Sequence, residues 1–133
     1  MTHPIKLIGP FVEPIIERLR AVCLAFPGAV EKLAWGEPTF RAGKMFAQFD
    51  NNHHKSGHVA VWVKAPPGAQ DILVGANAKR FFIPPYQGPA GWIGIRLDDD
   101  DVDWDEVAAV VEDGYRMVAS KKLLAELETR AAK

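Results

Sequence analysis

The stretch Arg80–Leu97, RFFIPPYQGPAGWIGIRL, limits the folds open to this chain more than any other. Phe81-Phe82 and Trp92-Ile93-Gly94-Ile95-Arg96-Leu97 have strand composition, and Pro84-Pro85-Tyr86 with a Gly/Pro turn separates them. Neither Pro84 nor Pro85 has an amide hydrogen to give to a ladder. The segment must therefore run along a sheet edge or leave the sheet at that point. A strand, a stiff loop and a second strand are expected, with the loop closing over one side of the sheet.

The remaining segments follow from period and punctuation. Ile15, Ile16, Leu19, Val22, Cys23 and Phe26 recur at helical spacing, from a start near Glu13-Pro14 to a stop at Pro27-Gly28. Trp35-Gly36-Glu37-Pro38 reads as a turn into a strand, Thr39-Phe40-Arg41. A tight Ala42-Gly43 connection then leads to Lys44–Phe49. Phe40, Phe46 and Phe49 do not share one parity, so either a bulge intervenes or both sheet faces are covered. His58–Lys64 alternates strictly, with Val59, Val61 and Val63 on one face and Ala60, Trp62 and Lys64 on the other. Pro66-Pro67-Gly68 ends that strand, and a helix of about eight residues carries Ile72 and Leu73 to a stop at Gly75 or Asn77. Asp103 and Glu106 have capping-box spacing, and Val107, Val110, Val111, Tyr115 and Val118 form the buried stripe of the helix that follows. Ser120 caps a last helix from Lys121 to about Thr129. The order α-β(3)-α-β(2)-α predicts an α+β fold on a single antiparallel sheet of about five strands, with helices packed on it.

Length and composition fit one domain over residues 1–133, with flexible tails at 1–10 and 130–133. No apolar run is long enough for a membrane span, so no membrane partner is expected. The start, MTHPIKLIGPFVEP, lacks the charged and apolar regions of a secretory signal. One cysteine rules out an internal disulfide and suits a cytoplasmic location. The formal charge of −1 hides an asymmetry. Ten Lys/Arg against six acids up to Arg80 give +4, and six against eleven beyond it give −5. A polarised surface follows only if the bases share a face.

No constellation for catalysis stands out. Cys23 lies on an apolar helical stripe, where a thiol is inert. His53, His54 and His58 match no zinc spacing and read as a solvated loop. Gly88, Gly91 and Gly94 are not the dinucleotide fingerprint. Asp98–Asp101 lack the pattern of a calcium loop and read as a charged helix start. No enzyme activity, cofactor or metal is expected. Basic and aromatic residues are interleaved at Trp35, Arg41, Lys44, Trp62, Lys64, Arg80, Phe82, Tyr86, Trp92 and Arg96, and these are the candidate site residues. They suit DNA or another nucleic acid, with cations on phosphates and rings on bases. The alternative is a pocket for a small anionic ligand or peptide, walled by Trp35, Trp62, Phe82, Tyr86 and Trp92.

The segments WGEPTFR, KMFAQFDNN, HVAVWVKAPPGAQDILV, RFFIPPYQGPAGWIGIRLD and YRMVASKKLLAEL, in this order, resemble the YjbR/MmcQ family of small bacterial proteins. The likeness runs from about Cys23 to Leu127. It implies a fold similar to that of type III secretion chaperones, also described as a double wing, and a DNA-binding role inferred from that shape. By the same analogy it implies a protein-interaction adaptor, a monomer or weak homodimer. It brings no catalytic residues. Ser120 departs from the pattern, since proline is expected there in many relatives.

Overall fold

The computed structural model describes residues 12–51, 59–98 and 101–131. Helix α1 (Val12–Leu24) is followed by four strands, β1 (Val30–Ala34), β2 (Glu37–Ala42), β3 (Lys44–Asn51) and β4 (Val59–Val63). Helix α2 (Ala69–Ala76), strands β5 (Phe81–Phe82) and β6 (Ile93–Arg96), and helices α3 (Trp104–Val118) and α4 (Lys121–Ala131) complete the order. The strands form one six-stranded sheet, β1-β2-β3-β4-β6-β5, and every neighbouring pair is antiparallel. The expected α+β architecture is present, with one strand more than the sequence suggested.

The additional strand is β1. It lies at the sheet edge, exposed along nearly its whole length, so Val-Glu-Lys-Leu-Ala has no buried face to impose an alternation. The turn that makes it a hairpin is also disguised. Trp35 and Gly36 both have left-handed backbones, φ 54° and 78°, as a two-residue type I′ turn requires. Asparagine or aspartate usually precedes the glycine there, and tryptophan hides the pattern.

The parity conflict among the phenylalanines resolves as a bulge. Phe40 faces Ala47 but Arg41 faces Met45, which leaves Phe46 as the extra residue of β3. The shift turns Phe46 toward the helices, where its ring meets Tyr115 edge-on at 5.5 Å. Phe40, Phe49, Val59, Val61, Val63, Ile93 and Ile95 join it on the helix-covered face of the sheet.

Two adjacent residues dock α3 on this face. An ideal Cβ on Gly114 would overlap the Lys64 carbonyl oxygen and come within 2.8 Å of Val63 Cγ1. Only a bare α-carbon lets the helix come this close to β4. Tyr115 is fully buried, stacks on Phe26 at 4.8 Å and donates its hydroxyl hydrogen to the Pro27 carbonyl at 2.6 Å. It thereby ties α3 to the turn that ends α1. Asp103 Oδ1 accepts from the amides of Asp105 and Glu106, as the capping pattern predicted. Glu106 does not complete the box, because its carboxylate turns to Arg80 at 3.5 Å. Ser120 Oγ accepts from the Leu123 amide and starts α4 as expected. The Asn77 amide closes α2 on the Leu73 carbonyl.

Gly114→Ala should destabilise the fold by about 2 kcal/mol and lower Tm by roughly 8 °C, because relieving the overlap outweighs the helix-propensity gain. A thermal melt followed by circular dichroism checks this, and an unchanged or raised Tm contradicts the close approach. Tyr115→Phe should cost about 1 kcal/mol by leaving the Pro27 carbonyl unpaired. Burial, with a smaller contribution from Glu126, holds the Tyr115 hydroxyl above its ordinary pKa. Its contribution is therefore complete below the unfolded tyrosine pKa, and falls as pH rises above about 10. In alkaline denaturation monitored by fluorescence, Tyr115→Phe should lose less stability than wild type across that range.

Candidate functional site

The sheet has a second face, turned away from the core helices. Strand alternation places Thr39 and Arg41 of β2, Gln48 and Asp50 of β3, Ala60 and Trp62 of β4, and Gly94 and Arg96 of β6 there. The register aligns Thr39 with Gln48, Gln48 with Trp62, and Trp62 with Gly94, beside which lies Phe82 of β5. Lys32 of β1 faces Thr39 and adds a cation at the other end of this row.

Much of the face is polar and yet buried. Glu37, Thr39, Gln48 and Asp50 are all buried, so they require partners. Trp62, 2% exposed, donates its indole hydrogen to Asp50 Oδ2 at 3.2 Å. Glu37 Oε2 accepts from the Asn51 amide at 3.0 Å. Thr39 donates to the Lys32 carbonyl at 2.6 Å and accepts from Arg41 Nε at 3.3 Å. Strands β1, β2, β3 and β4 are thus joined in turn by side-chain bonds as well as by the ladder.

Of the candidate residues, several are structural. Arg80 is buried, donates Nη2 to the Asp101 carbonyl at 2.8 Å, and pairs with Glu106 across the start of α3. Its Nε is buried without a hydrogen-bond partner. Arg96 donates to the carbonyls of Ala78 and Lys79 at 3.2 and 2.7 Å, and its guanidinium lies 4.9 Å from the centre of the Phe82 ring. It clamps the α2–β5 turn. The Phe82 ring covers Gly94, where a Cβ would overlap it. Trp92 is buried, and its carbonyl accepts from Gln70 Nε2 at 2.7 Å. Gln70 also donates to the Gly88 carbonyl at 2.8 Å and so pins the proline loop to α2. Composition gave no hint of this role, because a glutamine on a short amphipathic helix normally faces solvent.

The five rings expected to wall a pocket do not converge. Trp62 and Trp92 are interior, whereas Trp35 and Tyr86 are 64% and 78% exposed. Trp35 follows β1 at the end of the strands that carries Glu37 and Arg96. Tyr86 lies in the loop after β5, whose Gln87 carbonyl bonds the Trp92 amide at the opposite end. Both have left-handed backbones, φ 54° and 65°. A cleft of about 160 Å³ does exist, between α2 and α3, bounded by Pro66, Ile72, Leu73, Val110 and Asp113. It is lined by none of the candidate residues.

The cations separate into two classes. Arg20 is held by Glu17 and Glu31, Arg116 by Glu112 and Glu128, and Arg130 by Glu126, while Arg18 lies over Trp104. Glu31 is the largest influence raising the Arg20 pKa, and Glu112 does the same for Arg116. Lys32, Arg41, Lys44 and Lys64 form no ion pair among the described residues. Arg41 and Lys64 share the face that no helix of the described residues covers, and Lys44 is exposed at the adjoining β2–β3 turn. Of these, Lys32 was not singled out by sequence, since an edge strand gives no face assignment.

Nothing among the described residues points to redox or metal chemistry. Burial pushes the Cys23 thiol far above its ordinary pKa, which removes its nucleophilicity at neutral pH. No group of three or more His, Cys, Asp or Glu among the described residues could hold a metal ion. His53, His54 and His58 lie outside the described residues, as do Asp99, Asp100 and residues 1–10, 132 and 133. Asp98, expected in a solvated helix start, accepts instead from the Val59 amide at 3.0 Å and fastens β4 to the end of β6. No helix of the described residues is long and apolar enough to cross a membrane.

The comparisons agree with this architecture. No curated protein matches the chain. A crystal structure of a Deinococcus radiodurans protein, described by the domain DUF419, is similar in fold at a TM-score of 0.67 and 19% identity, over 85% of this chain and 87% of that one. The profile of the YjbR family matches residues 24–117, from the end of α1 to the last turn of α3. With its sheet, its proline loop and both docking residues of α3 inside that match, the chain belongs to the YjbR family.

Proposed function

We propose that the protein is a non-catalytic module that binds nucleic acid weakly through the phosphate backbone, using Lys32, Arg41, Lys44 and Lys64. One observation carries this reading. The arginines elsewhere are largely engaged within the fold, and although Lys79, Lys121 and Lys122 also enter no ion pair among the described residues, Lys32, Arg41, Lys44 and Lys64 are the unpaired cations that lie together on or just beyond β1–β4. Strands in a sheet are spaced about 4.8 Å apart, so cations on β1, on β2 and just past the end of β4 form a line across the strands rather than a converging cage. A line suits a repeating polyanion better than a compact anionic ligand. The polar bonds beneath it, Trp62 to Asp50 and Thr39 to Lys32, hold the strands in fixed register and limit the ordering cost of binding.

Base stacking has a small part in this mode. Trp62 and Trp92 are interior, and the exposed rings of Trp35 and Tyr86 stand at opposite ends of the strands. Recognition is then electrostatic and indifferent to sequence. The formal charge of −1 keeps it weak and confines it to the cationic face. Catalysis is not part of the reading. The buried carboxylates Glu37 and Asp50 are hydrogen-bond acceptors for Asn51 and Trp62.

Fluorescence anisotropy with a labelled single-stranded oligonucleotide should give a dissociation constant of about 10–100 μM at low salt. The log–log salt dependence should have a slope of about −3, near 0.7 per phosphate contacted. Replacing Arg41 and Lys64 together by alanine should weaken binding at least about tenfold and halve that slope. Replacing Lys121 and Lys122 of α4 should change neither. Absence of binding at about 100 μM protein, or equal losses in both double variants, rejects the proposal.

A further inference from the structure

We infer that β1 is a seam for a second copy of this chain, joined edge to edge about a two-fold axis normal to the sheet. Among the described residues β1 pairs with β2 alone, and its outer edge has no strand beside it. Two large apolar side chains of the strand are exposed, Val30 by 56% on one face and Leu33 by 71% on the other, and Trp35 in the turn that follows is exposed by 64%. An edge of unpaired backbone groups lined by exposed apolar residues is a template for another strand, unless charges or prolines block it. β1 contains no proline, and its acid is withdrawn. Both oxygens of Glu31 are gripped by Arg20 of α1, Nε at 2.7 Å and Nη2 at 3.1 Å. Lys32 alone remains as an unneutralised charge on the strand.

Charge and parity select the register. A two-fold axis normal to the sheet keeps each side chain on its own face, so the axis must pass through a residue of β1. Centred on Lys32 it opposes two ammonium groups, an unfavourable pair, and centred on Glu31, whose carboxylate Arg20 neutralises, it sets Leu33 and Ala34 against residues that precede the strand. Centred on Val30 or Ala34, it leaves much of the strand unpaired. Centred on Leu33, it sets Leu33 against Leu33 of the second copy and Lys32 against Ala34. Glu31, already neutralised by Arg20, then comes beside Trp35 of the second copy. This register alone seats Leu33 within the seam without opposing like charges.

The seam is short. A five-residue strand pair with its flanking side chains falls below the roughly 1,200 Å² of a stable interface, so the association is weak, with a dissociation constant on the order of 100 μM. The inference does not rest on nucleic-acid binding, since Leu33, whose replacement tests it, lies on the opposite face of β1 from Lys32 and Arg41.

Sedimentation equilibrium over about 10 μM to 1 mM should show a reversible monomer–dimer system for the wild type. Leu33→Lys should raise the dissociation constant at least about tenfold, with its circular dichroism spectrum unchanged because the side chain is exposed. The register is read by cross-linking, for which the buried Cys23 is silent. Leu33→Cys should form a disulfide dimer under mild oxidation at least about ten times faster than Lys32→Cys. A monomer at every concentration, association unaffected by Leu33→Lys, or equal cross-linking of the two cysteine variants would each overturn the inference.

Discussion

The separation between α3 and the sheet is fixed where Gly114 rests on the Lys64 carbonyl, and much of the structure follows from that contact. With α3 this low on β4, the Tyr115 hydroxyl reaches the Pro27 carbonyl and brings the end of α1 into the same layer. The rings of Phe26, Phe46 and Tyr115 then fill the space between helices and sheet, two of them stacked and Phe46 edge-on to both. The bulge in β3 belongs to this packing, because without it Phe46 would project to the other side. A helix held one methyl group farther away would open a gap along the whole contact, and close-packed interiors do not absorb such gaps cheaply.

Gathering the apolar residues of β2, β3, β4 and β6 on one face leaves their alternates on the other. There the chain places polar groups that are buried and bonded, with Trp62 to Asp50 and Glu37 to Asn51 at the centre. The same division sorts the charges. Acids concentrated on α1, β1, α3 and α4 lie within reach of arginines on or beside those elements, and they neutralise one another locally. The central strands carry Arg41 and Lys44, with Lys64 just past the end of β4, and their carboxylates are occupied as hydrogen-bond acceptors. A near-neutral chain thereby acquires a cationic strip that its total charge conceals.

What could be read from the residues, and what could not, divides along physical lines. Val59, Val61 and Val63 announced both a strand and its buried face, because side chains alternate wherever one face is covered. The Arg80–Leu97 segment likewise announced a strand, a proline loop and a strand, and β5 ends after two residues, just short of Pro84-Pro85. The roles of its charges were hidden. Arg80 and Arg96 resemble phosphate ligands in sequence, yet one braces the start of α3 and the other caps a turn over Phe82. Their partners are backbone carbonyls, and a carbonyl has no sequence signature. Trp62 could be assigned to a face by parity, but parity does not say whether that face is covered. β1 was missed because an edge strand exposed on both faces has no period.

The two edges of the sheet are treated unequally. β5 offers only two residues, and the chain then turns away into prolines that have no hydrogen to donate. Its neighbouring charge, Arg96, folds back over Phe82 and screens that flank. At the other edge β1 runs for five residues without proline. The carboxylate that would repel an incoming strand is drawn toward α1 by Arg20, an ion pair that fixes the helix while unmasking the edge. The chain thus blunts one edge by length, proline and charge, and leaves the other longer, free of proline and with one unneutralised charge, Lys32. Glu31 adds to that asymmetry, since it cannot both hold α1 and guard β1.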